Sequence, residues 1–558
     1  MRKSLGFADN YTSARSFFLK SIKCLPAGGL QLCIVNPEPG WILAVCSGQQ
    51  STRRGNAVSA EPADVYLESP EQSLDPEDWE RLRELGHRAF DDAIEYLKTV
   101  RDRPVWQPLP QSSRDLFNEP VPIEPTPRDQ VYDDVRDHVL PYPTGNIHPR
   151  FWSWVGGTGT PTQLVADLLI STMNAGGLGF DEVASTHIEI QLLTWLKSLL
   201  GYPADASGLL VSGGSMANLV GLAVARTHTA AYDVRDSGIN IAAHPRLIYY
   251  ASSETHSCVR KAIELIGLGS ESLHTIPVRS DYTIDIDELH DAIAEDRANG
   301  HQPACIIANV GTVNTGAVDP VNVLVDLALQ ENMWVHADAA FGAFAKLSAS
   351  SASLVDGIER VDSLAFDLHK WLYVQYDCGG VLVRAQETHK DTFSVIPAYI
   401  RNFDRGLASG PINFSEYGVQ LSRSFKALRA WMGLKTEGAA RYGQQIEQNI
   451  QQARYLTSLI ESEADLELLA PTAMNIVNFR FVPNDLPDGQ LDDINAEILM
   501  RLQERGIAAP SSTELQGRFS IRVAICNHRS RRSDFDALVA GVKEIGQELV
   551  AESARAKT

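Results

Sequence analysis

The stretch DSLAFDLHKWLYVQYDCGGVLV, residues 362–383, puts Lys370 between His369 and Trp371, just after a short run that is apolar except at its ends. DSLAFD reads as a buried strand, and GGVLVR (379–384) reads as a second one. An aromatic, partly desolvated setting is expected to lower a lysine pKa and to favour Schiff-base chemistry. Taken alone, such a lysine is more often one whose ammonium reaches solvent, so its meaning depends on the rest of the chain.

Working outward, three more apolar runs rich in β-branched residues precede it: RLIYYAS (246–252), ACIIANVG (304–311) and MWVHADAA (333–340). Helical stretches alternate with them: VRKAIELIGLG (259–269), IDELHDAIAEDRANG (286–300) and VNVLVDLALQEN (321–332). Alternation of this kind predicts an α/β fold with a largely parallel sheet covered by helices. Further out, helical periodicity marks 73–100, 160–176 and 185–202, with a Pro-rich connecting arm over 102–150. The C-terminal part reads helix (491–506), strand (FSIRVAIC, 519–526), helix (534–552), which predicts a smaller α/β domain.

The chain has 558 residues and a net charge of −21, which argues against a nucleic-acid partner and against an acidic membrane surface. Seven cysteines with no C-x-x-C pair suggest neither a disulfide framework nor a zinc site, and no metal is expected. No run of about 18 apolar residues predicts a membrane span, and the first residues lack the apolar core of a signal peptide. The expectation is a cytoplasmic protein. Residues 1–65 differ from the rest. LQLCIVNPEPGWILAVCSG (30–48) is broken by Pro-Glu-Pro-Gly, and the head reads as a poorly ordered extension.

Three further elements carry chemistry. GLLVSGGSMANLVGLAVAR (208–226) puts Gly213, Gly214 and Ser215 at the start of a helix, where free N–H groups and the helix dipole favour an anion. It lacks the Gly-Lys-Ser/Thr and G-x-G-x-x-G signatures of ATP and dinucleotide sites. SSETHSCVRKA (252–262) puts His256 after a strand, at the edge where parallel sheets collect ligands. MWVHADAAFGAF (333–344) ends a buried strand on Asp338, a carboxylate that needs a cationic partner. Each has an ordinary reading: a Gly-Gly turn, a capping histidine, a carboxylate paired with an arginine.

Their order is more specific than any of them singly. Glycine anion loop, histidine, aspartate and His-Lys, in that succession, resemble the fold type I pyridoxal-phosphate (PLP) enzymes. More narrowly, the chain resembles the group II decarboxylases, the family of aromatic-L-amino-acid and glutamate decarboxylases. The likeness runs from about residue 75 to 550 and includes HPRFWSWVGGTGTP, LLTWLKSLLGYP, VSGGSMANL, ETHSCVRKA, GTVNTGAVDP, HADAAFGAF, AFDLHKW, SRSFKALRAWMGLK and SIRVAICN.

The resemblance implies a central, mostly parallel seven-stranded sheet in a PLP-binding domain over 161–435, a helical arm over 66–160 and a small α/β domain over 436–550. It implies a homodimer acting on a small-molecule amino acid. Lys370 would carry PLP, Asp338 would pair with the pyridine nitrogen and His256 would stack on the ring. Gly214, Ser215, Ser363 and His369 would hold the phosphate, with Thr312 near the ring. Tyr399, in FSVIPAYIRNFDRG, corresponds to a mobile-loop tyrosine that protonates the α-carbon after CO2 leaves. Trp154 and Val155, then Leu178 and Phe180, would line the side-chain pocket, and Ser422 hints at phenolic substrates. The pair Gly156-Gly157 stands where the animal enzymes are expected to carry Pro-Thr, implying a reshaped pocket. An aromatic or large hydrophobic substrate follows. The alternatives are an aldehyde synthase, whose loop tyrosine is typically phenylalanine, a carbon–carbon lyase, and a non-catalytic binding homologue in which Lys370, Asp338 or His256 would have eroded.

Overall fold

The five apolar runs are strands, and two others complete their sheet. The computed structural model describes residues 22–27, 30–35, 42–46, 73–177, 179–395, 403–484, 486 and 488–556. In the unit Met1–Trp79, β1 (Ile22–Ala27), β2 (Leu30–Val35) and β3 (Ile42–Cys46) pair antiparallel in that order, with Cys24 opposite Cys33 and Cys33 opposite Ala44. Most of the head expected to be a poorly ordered extension, residues 1–65, lies outside the described residues.

The second unit, Glu80–Thr558, holds two sheets. Its first strand, β4 (Phe151–Trp152), belongs to the smaller one. The larger comprises β5 (Ser207–Val211), β6 (Leu247–Ser252), β7 (Leu273–Ile276), β8 (Gln302–Asn309), β9 (Trp334–Asp338), β10 (Ser363–Asp367) and β11 (Gly379–Val383), in the order β5-β11-β10-β9-β8-β6-β7. Strands β10, β9, β8, β6 and β7 run parallel, and β11 runs antiparallel to both of its neighbours. The central strands are buried along their whole length. That is why they read as unbroken apolar runs rather than as alternating ones. The helix Gly214–Thr229 lies on this sheet through a face that includes Ala217, Val220, Leu222 and Val224.

The smaller sheet is built from β12 (Leu466–Leu468), β13 (Ile476–Phe481), β14 (Ala509–Leu515) and β15 (Arg518–Ala524), in the order β12-β13-β15-β14-β4. Strand β4 comes from the stretch assigned to the arm. Trp152 stacks on Phe535 with ring centroids 4.7 Å apart, and its indole N–H donates to Ser530 Oγ at 3.0 Å. Among the described residues, no helix is long and apolar enough to cross a membrane.

Two buried histidines tie elements together as neutral rings. His148 bonds the Arg103 carbonyl through Nε2 and accepts the Arg150 amide at Nδ1. His389 bonds the Tyr417 carbonyl through Nε2 and Ser207 Oγ through Nδ1. Burial pulls both down from the ordinary 6.5 to about 4. Below pH 6.5 the unfolded chain therefore binds protons that the folded chain refuses. Stability present above that pH is lost as pH falls toward 4, by about 1.4 kcal/mol per pH unit for each ring. Urea unfolding between pH 7 and 4.5 is expected to reveal this loss, and His389→Gln is expected to flatten its slope.

Candidate active site

The carboxyl ends of the parallel strands converge on a cavity of about 510 Å³, within the usual small-molecule range of ~300–1,000 Å³. Asp338 ends β9, Asp367 ends β10 and Asn309 ends β8, and all three line it. Lys370 enters from the one-turn helix Leu368–Trp371 that follows β10. Gly213, Gly214 and Ser215 enter from the start of the helix after β5, where no side chain caps the helix.

Lys370 Nζ lies 3.0 Å from Asp367 Oδ2. Burial works to lower the lysine, but Asp367 and then Asp338 outweigh it and hold the ammonium above its ordinary value. This reverses the expected direction, because the aromatic neighbour matters less than two carboxylates. Asp338 accepts hydrogen bonds from Asn218 Nδ2 at 3.0 Å and from the Ala340 amide at 3.1 Å. Burial raises its carboxyl above the usual range, against the pull of the Lys370 charge. His256 caps the helix Ser257–Leu265 by accepting the Cys258 amide on Nδ1 at 3.2 Å, so its proton sits on Nε2. Burial pulls this ring below its ordinary value, with Asp338 opposing.

A family model described as the pyridoxal-dependent decarboxylase conserved domain matches residues 110–482, more than half of the chain. The chain belongs to the pyridoxal-dependent decarboxylases. It is 34% identical over 473 residues to an aromatic-L-amino-acid decarboxylase of Bacillus atrophaeus, covering 84% of this chain and 96% of the relative. It is 30% identical over 464 residues to a phenylacetaldehyde synthase of Arabidopsis thaliana, covering 81% and 93%. The crystal structure of Oryza sativa TDC with PLP and tryptamine superposes with a TM-score of 0.79 at 28% identity, over 86% of this chain and 100% of that one. The cofactor of this decarboxylase is pyridoxal phosphate, and the fold is that of the fold type I enzymes.

The cavity fits that cofactor. It offers an ammonium for an aldehyde, a carboxylate for a pyridinium, and an uncapped helix start with Ser215 for a phosphate. Asp367 Oδ1 is a buried acceptor with no partner among the described residues. A Cβ on Gly214 would stand 3.0 Å from Asp367 Oδ2 and 3.2 Å from Ala340 Cβ, so a side chain there would crowd the cavity wall.

Of the residues expected at the site, His369, Trp154 and Val155 also line the cavity. Ser363 does not. It sits at the opposite end of β10, bonded to Trp334 Nε1 and His336 Nδ1 at 2.8 Å each, so it cannot reach a phosphate held at the carboxyl edge. Thr312 turns its hydroxyl into its own turn, toward Thr315 Oγ1 at 2.9 Å and the Ala317 amide at 3.1 Å, while its neighbours Gly311 and Val313 face the cavity. Phe180 is half-buried away from it, and Ser422 is exposed beside Arg423, which turns inward to pair with Glu189. Leu178 and Tyr399 lie outside the described residues.

Three residues were missed. Asp367 stands one helical turn before Lys370, in the stretch that decides the fold, and Asn218 stands one turn into the helix after the glycine loop. Arg522 is buried on β15 and donates to the Ser153 carbonyl at 2.9 Å and the Val313 carbonyl at 2.5 Å, bracing both sides of the cavity mouth. An arginine with apolar neighbours on both sides, in SIRVAIC, was the signal for it.

The glycine pair also has a structural reason. The Gly157 amide donates to the His369 carbonyl at 2.8 Å, and a Cβ there would lie 2.4 Å from the carbonyl oxygens of both His369 and Lys370. Gly157→Ala is expected to displace the Lys370 turn and to weaken PLP binding about tenfold or more. Gly86→Ala, with nothing within 4 Å of the new Cβ, should leave it unchanged; equilibrium dialysis measures both.

Proposed function

We propose that this decarboxylase releases CO2 from an aromatic L-amino acid to give the amine. The observation that carries the reading is a single cavity in which Lys370 and Asp338 face Trp154, Val155 and Phe341. An apolar and aromatic lining favours a substrate of that kind. Similarity to an aromatic-L-amino-acid decarboxylase, and to tryptophan and tyrosine decarboxylases at 27% and 28% identity, supports it.

In this reading Lys370 would hold the cofactor covalently, and Asp338 would keep a proton on its pyridine nitrogen. When bound, the cofactor supplies the electron sink that takes up the charge left by departing CO2. His256, held as a neutral imidazole, would pack against the ring. Gly214, Ser215 and His369 would hold the phosphate. Tyr399 would return a proton to the substrate's α-carbon. Similarity to phenylacetaldehyde synthase supports a second outcome, aldehyde formation. Tyrosine rather than phenylalanine at 399 favours the amine.

A cytoplasmic homodimer completes the reading. Val165, Leu168, Leu169 and Met173 leave the helix Pro161–Met173 40–60% exposed at those positions, an apolar face suited to a second copy. The free, buried cysteines Cys258, Cys305, Cys378 and Cys526 suit a reducing compartment.

The test is a panel of L-amino acids assayed for CO2, amine, aldehyde and ammonia with PLP added. Aromatic substrates are expected to exceed glutamate and aspartate in kcat/KM by about a hundredfold or more, since Trp154, Val155 and Phe341 favour an apolar side chain over a carboxylate. Tyr399→Phe is expected to divert product toward aldehyde. Release of CO2 from acidic amino acids alone would overturn the substrate class.

A further inference from the structure

Behind Asp338, where the helix Gly214–Thr229 covers the sheet, Trp334, Ser363, His336 and Asn218 are all but fully buried. They form one chain of hydrogen bonds. Trp334 Nε1 meets Ser363 Oγ at 2.8 Å, and Ser363 Oγ meets His336 Nδ1 at 2.8 Å. His336 Nε2 meets Asn218 Oδ1 at 2.7 Å, and Asn218 Nδ2 meets Asp338 Oδ2 at 3.0 Å.

The two ends fix the direction of every bond. An indole N–H only donates, and an ionised carboxylate only accepts. Asp338 accepts from Asn218 Nδ2, so the Asn218 oxygen faces His336 Nε2, and the neutral ring's Nδ1 is left to accept the Ser363 proton. His336 then carries its proton on Nε2 and gives it to the Asn218 oxygen. The Asn218 amide is left with one orientation, N–H toward Asp338. Burial pulls His336 down to about 3, so the ring stays neutral. In such a chain each bond polarises the next.

The sequence builds this arrangement from short-range rules. His336 and Asp338 are two apart on β9 and share a face. Ser363 is the register partner of His336 on β10. Gly221 lets the helix ride on the imidazole, since a Cβ there would lie 2.5 Å from His336 Cε1 and 2.6 Å from Nδ1. Glycine is a poor helix residue, and this approach accounts for it.

We propose that His336 is a positioning residue. Acting through Asn218, it fixes the donor that keeps Asp338 ionised and aimed at the cofactor's pyridine nitrogen. The proposal rests on the reading of Asp338 as that nitrogen's partner. Without His336 the Asn218 amide is free to turn its oxygen toward the carboxylate, which favours a protonated, neutral Asp338. Ser363 thus supports the ring end of the cofactor, not the phosphate.

The test compares holoenzymes of His336→Leu, His336→Gln, Gly221→Ala and Asp338→Asn with the wild type. Three quantities are read: the dissociation constant of PLP, the 15N chemical shift of ring-labelled PLP, and kcat and KM separately. His336→Leu and Gly221→Ala are expected to weaken PLP about tenfold or more, to move the ring nitrogen toward its unprotonated shift, and to lower kcat with KM little changed. Gln keeps an acceptor for Ser363 and a donor for Asn218, and is expected to restore most of each. Gly221→Ala alters no polar group, so it carries the test if His336→Leu fails to fold. A folded His336→Leu or Gly221→Ala with wild-type PLP affinity and a protonated nitrogen overturns the proposal. A nitrogen still protonated in Asp338→Asn overturns instead the reading of Asp338 on which it rests. Loss in Asp338→Asn with retention in His336→Leu leaves that reading intact and removes the relay alone.

Discussion

Asp338, Asp367 and Lys370 bring two negative charges and one positive charge to the carboxyl edge of a sheet whose central strands are buried. Burying an ion without a partner costs several kcal/mol, so the surroundings of these three groups are constrained more tightly than any apolar contact. Lys370 and Asp367 meet that demand by pairing at 3.0 Å. Asp338 meets it with neutral donors, Asn218 and the Ala340 amide, which leave its charge uncompensated by a directly bonded cation. A carboxylate held in this way is poised for a cation that arrives with a ligand, and a pyridinium nitrogen is such a cation. The helix Gly214–Thr229 serves both needs, since its first turn borders the cavity and its second supplies Asn218.

Much of this was legible in the sequence because parallel strands buried on both faces have nowhere to hide a polar residue except at their ends. That rule exposed RLIYYAS, ACIIANVG, MWVHADAA and DSLAFD as strands, and it exposed Asp338 as a strand-end carboxylate. The strands not singled out break the rule. LHTI is the sheet's partly exposed edge, and SGLLV runs straight into a Gly-Gly turn and read as the approach to a helix. In the small sheet β14 alternates buried and exposed residues and carries Ser, Thr and Glu, which reads as loop.

The errors at the site have physical causes as well. Ser363 belongs to the right strand but to its wrong end. Four residues of extended chain separate it from Asp367, about 13 Å at ~3.3 Å per residue. The lysine was judged by its aromatic neighbour in sequence, whereas its charge state is set by a carboxylate one turn earlier and another on the adjacent strand. Gly156-Gly157 was read as room for substrate. Its second glycine is instead a point of backbone contact that holds the Lys370 turn, a relation between residues more than 200 positions apart that no local pattern encodes.

The central claim is that Lys370 is the residue on which this enzyme carries its cofactor. Borohydride reduction of the holoenzyme, followed by proteolysis and mass mapping, tests it most directly. The phosphopyridoxyl mass is predicted on the peptide that contains Lys370, with Lys370→Ala left unlabelled. The same mass on another lysine, or its persistence in Lys370→Ala, would contradict the account.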